Sequence, residues 1–173
     1  MPFAAWAQSG DEDDARKDTN WQEAAHTLPA RPDERNLLAF RVGSQPEGRF
    51  FVDPESISRG EDDVIRYVLV MRGSGGASTV TFEGVRCGVR ARRLYASLER
   101  DGGWRAMKNS AWRDLPVQGS SIVMFGYSGN DPRAVLAYDY LCDGPAPRAR
   151  EDIIARLRGK RIDYLDPGHG VEP

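Results

Sequence analysis

Val64-Ile65-Arg66-Tyr67-Val68-Leu69-Val70-Met71 constrains this chain more than any other stretch. It is rich in β-branched side chains and nearly continuous in apolar residues, the composition of a β-strand. Arg72-Gly73-Ser74-Gly75-Gly76 follows it directly. That segment has the glycines of a phosphate loop but no Gly-Lys-Ser/Thr ending and no helix after it. Glycine supplies turn dihedrals, so the segment reads as a hairpin turn that sends the chain back antiparallel.

Other elements group around that strand. Leu37-Leu38-Ala39-Phe40-Arg41-Val42 and Phe50-Phe51-Val52 read as strands. Asp53-Pro54-Glu55-Ser56-Ile57 reads as a helical turn, with Asp53 as cap and Pro54 at the first position. Along residues 78–98, read as a strand, Val80 and Phe82 put even positions inward, whereas Val85, Cys87, Val89 and Ala91 are odd. A bulge at or next to Gly84 would produce that change of parity. Asp101-Gly102-Gly103 is a hairpin turn, and Trp104 opens a return strand. A short strand is expected at residues 121–127. Asp131-Pro132 starts a helix whose apolar side is Val135, Leu136, Tyr138 and Leu141. Pro145 and Pro147 break the chain, and Glu151–Arg158 forms a second helix on Ile153, Ile154 and Leu157, stopped by Gly159. The expected fold is α+β, a small antiparallel sheet of about five or six strands with one or two C-terminal helices packed on it.

The 173 residues suit one domain, placed at residues 36–160 with a tail at 161–173. An apolar fraction of 40%, with 4 Trp, 6 Tyr and 6 Phe, is enough for a core. No run of about 18 apolar residues exists to span a membrane. Ala5-Trp6-Ala7 before Gln8 fits the small-x-small rule of a signal-peptidase site, so residues 1–7 are read as the remnant of an export signal. Residues 8–35 are read as an acidic, flexible leader containing Asp11-Glu12-Asp13-Asp14, in which Asn20 caps one helical turn over Trp21–Ala25.

The catalytic inventory is thin. His26 and His169 lie near the chain ends, which argues against Ser-His-Asp and Cys-His mechanisms. Two Cys and two distant His do not make zinc spacings, so neither metal nor cofactor is expected. Gly126-Tyr127-Ser128-Gly129 misses the nucleophile elbow by one residue. Glu83 and Asp53 are the carboxylates a histidine-free hydrolase would use, given that one carboxyl is raised by burial.

Charge is unevenly spread. Arg supplies 21 of the 24 basic residues in a chain of net charge −2. Yet residues 84–113 carry 8 bases against Glu99 and Asp101, a local +6. On a continuous strand Arg86, Arg90 and Arg92 would line one face, with Trp104, Trp112 and Arg113 nearby. That face is the candidate binding surface, fit for an anionic glycan or lipid headgroup or for another protein. Nothing matches a nucleic-acid motif, and the net acidity argues against that partner. Cys87 and Cys142 are each placed to be buried. In an exported chain they would pair, closing a 55-interval loop worth roughly 4 kcal/mol in the chain-entropy model.

Taken in order, Phe51-Val52-Asp53-Pro54-Glu55-Ser56-Ile57-Ser58, the 64–70 strand, Thr81-Phe82-Glu83-Gly84-Val85-Arg86-Cys87, Asp101-Gly102-Gly103-Trp104, Trp112-Arg113 and Tyr138-Asp139-Tyr140-Leu141-Cys142 resemble the cryptic neisserial protein 1-like family. The resemblance covers roughly residues 20–160 and implies an exported periplasmic or cell-envelope protein of bacteria, with no catalytic residues to carry over. A looser likeness to surface-adhesin protein E rests on Asp53-Pro54-Glu55-Ser56-Ile57, Cys87 and Cys142, and implies a sheet-plus-disulfide layout. The expected role is non-catalytic binding or structure through the Arg/Trp face; an adhesin-like module and a carboxylate hydrolase of envelope glycans are the alternatives.

Overall fold

A computed structural model describes residues 20–45, 48–116 and 131–159. The strand expected at 121–127 lies outside the described residues. Strands β1 (Leu38–Phe40), β2 (Phe50–Arg59), β3 (Val64–Arg72), β4 (Ser78–Arg86), β5 (Ala91–Leu98) and β6 (Trp104–Ala106) form an antiparallel meander in chain order. A two-residue strand β7 (Arg113–Asp114) pairs with the start of β5, and β6 pairs with its end. The central strand is β3, buried without interruption from Val64 to Val70.

Both faces of the sheet are covered, which explains the sequence of β3. One face meets α1 (Pro132–Val135), which continues as a π-helical turn over Leu136–Leu141, and α2 (Arg150–Leu157). Asp131 caps α1 by accepting from the Arg133 and Ala134 amides, and Gly159 ends α2 at φ +72°. Ile65, Tyr67, Leu69 and Val85 pack there against Val135, Leu136, Leu141, Ile153 and Leu157. The opposite face holds a smaller cluster, Val68, Val70, Phe82, Tyr95 and Ala96. A two-residue hairpin, β8 (Cys142–Asp143) and β9 (Ala146–Pro147), links the helices. The Cys87–Cys142 disulfide ties it to the β4–β5 turn, with the Cα atoms 5.6 Å apart.

Four sequence expectations are corrected. β4 keeps one register against β3 from Ser78 to Arg86, so no residue is inserted at Gly84. The extra residue is on β5, where Tyr95 lies between the partners of Phe82 and Glu83. The parity of apolar positions changes because different faces of β4 are more heavily covered at its two ends. Gly84 answers a different need: a Cβ there would meet the Tyr95 hydroxyl at 2.6 Å and Val64 Cγ1 at 2.9 Å. The run 78–98 is a hairpin, turning at Cys87–Arg90 with Arg90 at φ 52°. Asp53–Ile57 is an irregularity within β2 rather than a helical turn. Its side chains stand in for ladder bonds: Asp53 Oδ1 accepts from the Glu55 amide at 3.1 Å, and Ser56 Oγ accepts from the Val68 amide at 2.7 Å. Finally, Trp21–Ala25 forms no helical turn; residues 20–32 cross the sheet as a non-helical strap, largely exposed but half-buried against it at Trp21, Glu23, Ala24, Pro29 and Pro32.

Candidate functional site: a strapped arginine cradle and an open basic cavity

The pairing register decides which arginines can meet. Arg66 pairs with Gly84, and Gly84 pairs with Arg93, so the two guanidinium side chains flank a position with no side chain. Val64 pairs with Arg86, placing Arg86 on the same face. Into this cradle the strap lowers Trp21 and Glu23. Trp21 lies under Arg86, whose guanidinium carbon is 3.5 Å from its ring centroid, and meets Trp112 edge-on at 5.8 Å. Its Nε1 donates to the Asp62 carbonyl at 3.1 Å.

Glu23 takes hydrogen bonds from three side chains: Tyr95 Oη at 2.6 Å, Trp112 Nε1 at 3.2 Å and the Arg93 guanidinium. Arg66 approaches at 3.6 Å. The strap backbone is held as well. The Ala24 amide donates to Asp62 Oδ2 at 2.8 Å, and Arg66 donates to the Ala24 carbonyl at 3.3 Å. Asp62 and Arg66 are themselves a buried pair at 2.7 Å. Burial pushes the Glu23 carboxyl up, but the bonds from Tyr95 and Trp112 and the Arg93 charge outweigh it and hold the group below its ordinary value. Asp62 is lowered likewise: burial opposes, and Arg66 with the Ala24 and Val64 amides wins. Burial and the bond to Glu23 drive the Tyr95 hydroxyl upward. Further along, Trp104 Nε1 donates to the Pro29 carbonyl at 2.8 Å, and His26 lies 4.2 Å from the Tyr95 ring.

Arg92 belongs to the other face. It pairs with Val85 and, on β7, with Arg113, so both point away from Arg86. They line a cavity of about 490 Å³ together with Leu94, Met107, Lys108 and Arg133. Arg133 is occupied: its guanidinium grips both oxygens of fully buried Glu83 at 2.8–3.0 Å, and Thr81 donates to the same carboxylate at 2.7 Å. Arg92, Lys108 and Arg113 have no carboxylate within ion-pair distance among the described residues, and Arg92 Nε is buried without a hydrogen-bond partner. Residues 117–130, between this cavity's edge and α1 in sequence, contain no charged side chain.

The expected Arg/Trp surface is therefore divided. Arg86, Trp104 and Trp112 share the strap face, Arg92 and Arg113 line the cavity opposite, and Arg90 stands exposed in the turn. Asp53 pairs with Val68 and Glu83 with the adjacent Tyr67, which puts the two carboxylates on opposite faces. Among the described residues no three His, Cys, Asp or Glu side chains gather as a metal site. Sequence reasoning missed Trp21, Glu23, Asp62, Arg66, Lys108 and Arg133. Two signals were available: a lone Trp in a charged leader, and a single Arg inside the most apolar strand, which must find a partner if buried.

The fold and site define a class: a disulfide-closed antiparallel sheet whose two sides carry arginine clusters. The sequence model of the CNP1-like family matches residues 16–158, and the chain belongs to that family, whose function is uncharacterised. No curated protein and no solved structure matches the chain. Among the described residues no helix is long and apolar enough to cross a membrane.

Proposed function

We propose that the protein is exported to the bacterial envelope and acts there, without catalysis, by binding an anionic envelope component in the basic cavity. The observation that carries this reading is the convergence of Arg92, Lys108 and Arg113 on one concavity with no neutralising carboxylate among the described residues. Like charges held together at a concave surface repel, and an anion relieves that repulsion. The disulfide supports an oxidising compartment, since such bonds are rare in cytosolic proteins. The opposed placement of Asp53 and Glu83, and the closure of Glu83 by Arg133, favour binding over hydrolysis.

The test is retention on a sulfated polysaccharide matrix as a function of salt. Replacing Arg92, Lys108 and Arg113 by Ala lowers the eluting salt concentration sharply. Replacing exposed Arg31, Arg35 and Arg59 instead, an equal change in net charge, leaves it close to wild type. Equal shifts for the two triples would show retention by overall charge and defeat the assignment. Export is checked by unreduced mass spectrometry on protein from its native host: Cys87 linked to Cys142 and an N-terminus at Gln8 are expected, and a retained Met1 with two free thiols refutes it.

A further inference from the structure

The strap is held in the way a ligand is held, and it lies on the face opposite the basic cavity. No residue from Asn20 to Asn36 is fully buried, and none belongs to either apolar core. Its polar attachment is densest at Trp21, Glu23 and Ala24, with the Pro29 carbonyl and the His26 ring adding contacts to Trp104 and Tyr95 further along. Trp21 has a cation–π seat and a carbonyl acceptor, Glu23 has three side-chain donors and a second guanidinium, and Ala24 is read at both its amide and its carbonyl. Side-chain selection at two positions two residues apart, with backbone capture at a third, is what a peptide-binding site provides. The buried cluster beneath, Val68, Val70, Phe82, Tyr95 and Ala96, is supplied by β3, β4 and β5, and the strap meets it through the His26 ring against Phe82 and Tyr95.

We propose that the cradle formed by Arg66, Arg86, Arg93, Tyr95 and Trp112 is a peptide-binding site for an acidic, aromatic segment with Trp two residues before Glu. The leader occupies it in cis as an internal ligand. A tethered segment competes at an effective concentration of millimolar order, so a peptide making the same contacts from another chain is excluded until the leader is released. The cradle is therefore self-inhibited: the apparent Kd for an outside peptide is raised by the inverse of the fraction of molecules in which it is open, and releasing the leader removes that penalty.

The full chain carrying Trp21→Ala and Glu23→Gln leaves the cradle intact and its internal ligand impaired. A fluorescent peptide of residues 20–32 is expected to bind this chain at least about tenfold more tightly than wild type. The same peptide with its own Glu23→Gln is expected to lose most of that binding. Equal binding to both chains, or equal binding of both peptides, overturns the proposal. A second measurement needs no variant. Isotope-labelled heavy peptide, added in excess to wild-type protein, should raise deuterium uptake over residues 20–27 as it displaces the strap; unchanged uptake up to millimolar peptide overturns the proposal equally. Neither readout depends on Arg92, Lys108 or Arg113, so the two sites succeed or fail separately.

Discussion

On the helix side of the sheet, Val135, Leu136, Leu141 and Ile153 meet Ile65, Tyr67 and Leu69, a disulfide fixes the β8–β9 hairpin, and a single carboxylate, Glu83, is sealed beneath Arg133. On the strap side, the covering element gives no residue to the core and is held by Glu23, Trp21, the polar atoms of Ala24 and, further along, the Pro29 carbonyl and the His26 ring. Apolar burial involves no titrating group, and a cover held by it is expected to come off only when the domain unfolds. Charge-assisted bonds are directional and respond to pH, and a cover held by them is expected to lift without the domain unfolding. The contrast between these covers is what the following measurements are designed to break.

The largest effect is expected at Arg133. Removing it in Arg133→Ala strands a fully buried carboxylate, which costs about 3–5 kcal/mol. The midpoint of denaturant unfolding falls while the slope is unchanged. Replacing both partners, as in Glu83→Gln with Arg133→Met, recovers most of the loss because no charge is left unpaired. A cost under about 1 kcal/mol for Arg133→Ala would mean that water reaches Glu83 and that the helix side is not sealed.

Gly84→Ala comes next and acts on the strap side. The added methyl collides with the Tyr95 ring and hydroxyl and with Val64. Overpacking of this kind costs about 1–3 kcal/mol. Displacing the hydroxyl also removes a donor from Glu23. Strap release, followed by hydrogen exchange at the Ala24 amide, should therefore increase by more than global stability falls. Equal changes in the two quantities would show that strap and domain open together.

These residues also show what the sequence made legible. The β3 strand, the Gly73–Gly76 hairpin, the Asp131-Pro132 helix start and the cysteine pair are local or compositional signals, and the structure reproduces each. The Gly84 region misled because a strip of sequence cannot distinguish an inserted residue from a sheet covered on both faces; only the cross-strand register separates them. Arg86 and Arg92 fell on opposite faces for a related reason, since the four-residue turn at Cys87–Arg90 carries no strong turn signature beyond Gly88. By composition the strap reads as a flexible leader, because it is polar and charged. Its partners lie about 40 to 90 positions away in sequence, from Asp62 to Trp112, beyond any local pattern.

Acid should separate the covers without a mutation. Glu23 and Asp62 have folded-state values below their ordinary 4.5 and 3.8. Each therefore contributes stability that is fully present above its ordinary value and is lost as the pH falls through the lowered one. Asp53 runs the other way: burial raises it, and protonation relieves a cost. As the pH drops below about 4.5, tryptophan emission should shift as Trp21 leaves Arg86 and Trp112, before the far-ultraviolet signal of the sheet changes. Glu23→Gln should weaken that early step. Simultaneous loss of both signals would assign acid sensitivity to the whole domain.

The smallest effect is expected from a pair that resembles the strap's anchor on paper. Arg59–Asp63 and Arg66–Asp62 have the same spacing of four and nearly equal separations, 2.6 and 2.7 Å. The first pair leaves half or more of each side chain in water; the second is almost wholly covered, at 4% and 1% exposure. In water the Coulomb attraction is screened and the ordering of two long side chains offsets it, so Arg59→Ala should change stability by no more than about 0.5 kcal/mol. Arg66→Ala leaves Asp62 covered without its partner and removes a donor to the Ala24 carbonyl, so it should both destabilise the domain and free the strap. Denaturant midpoints for the two variants, with exchange at residues 20–27, decide the matter. Were Arg59→Ala to cost as much as Arg66→Ala, solvent exposure would not be what distinguishes these pairs, and the account of the strap as a cover held by desolvated charge would lose its basis.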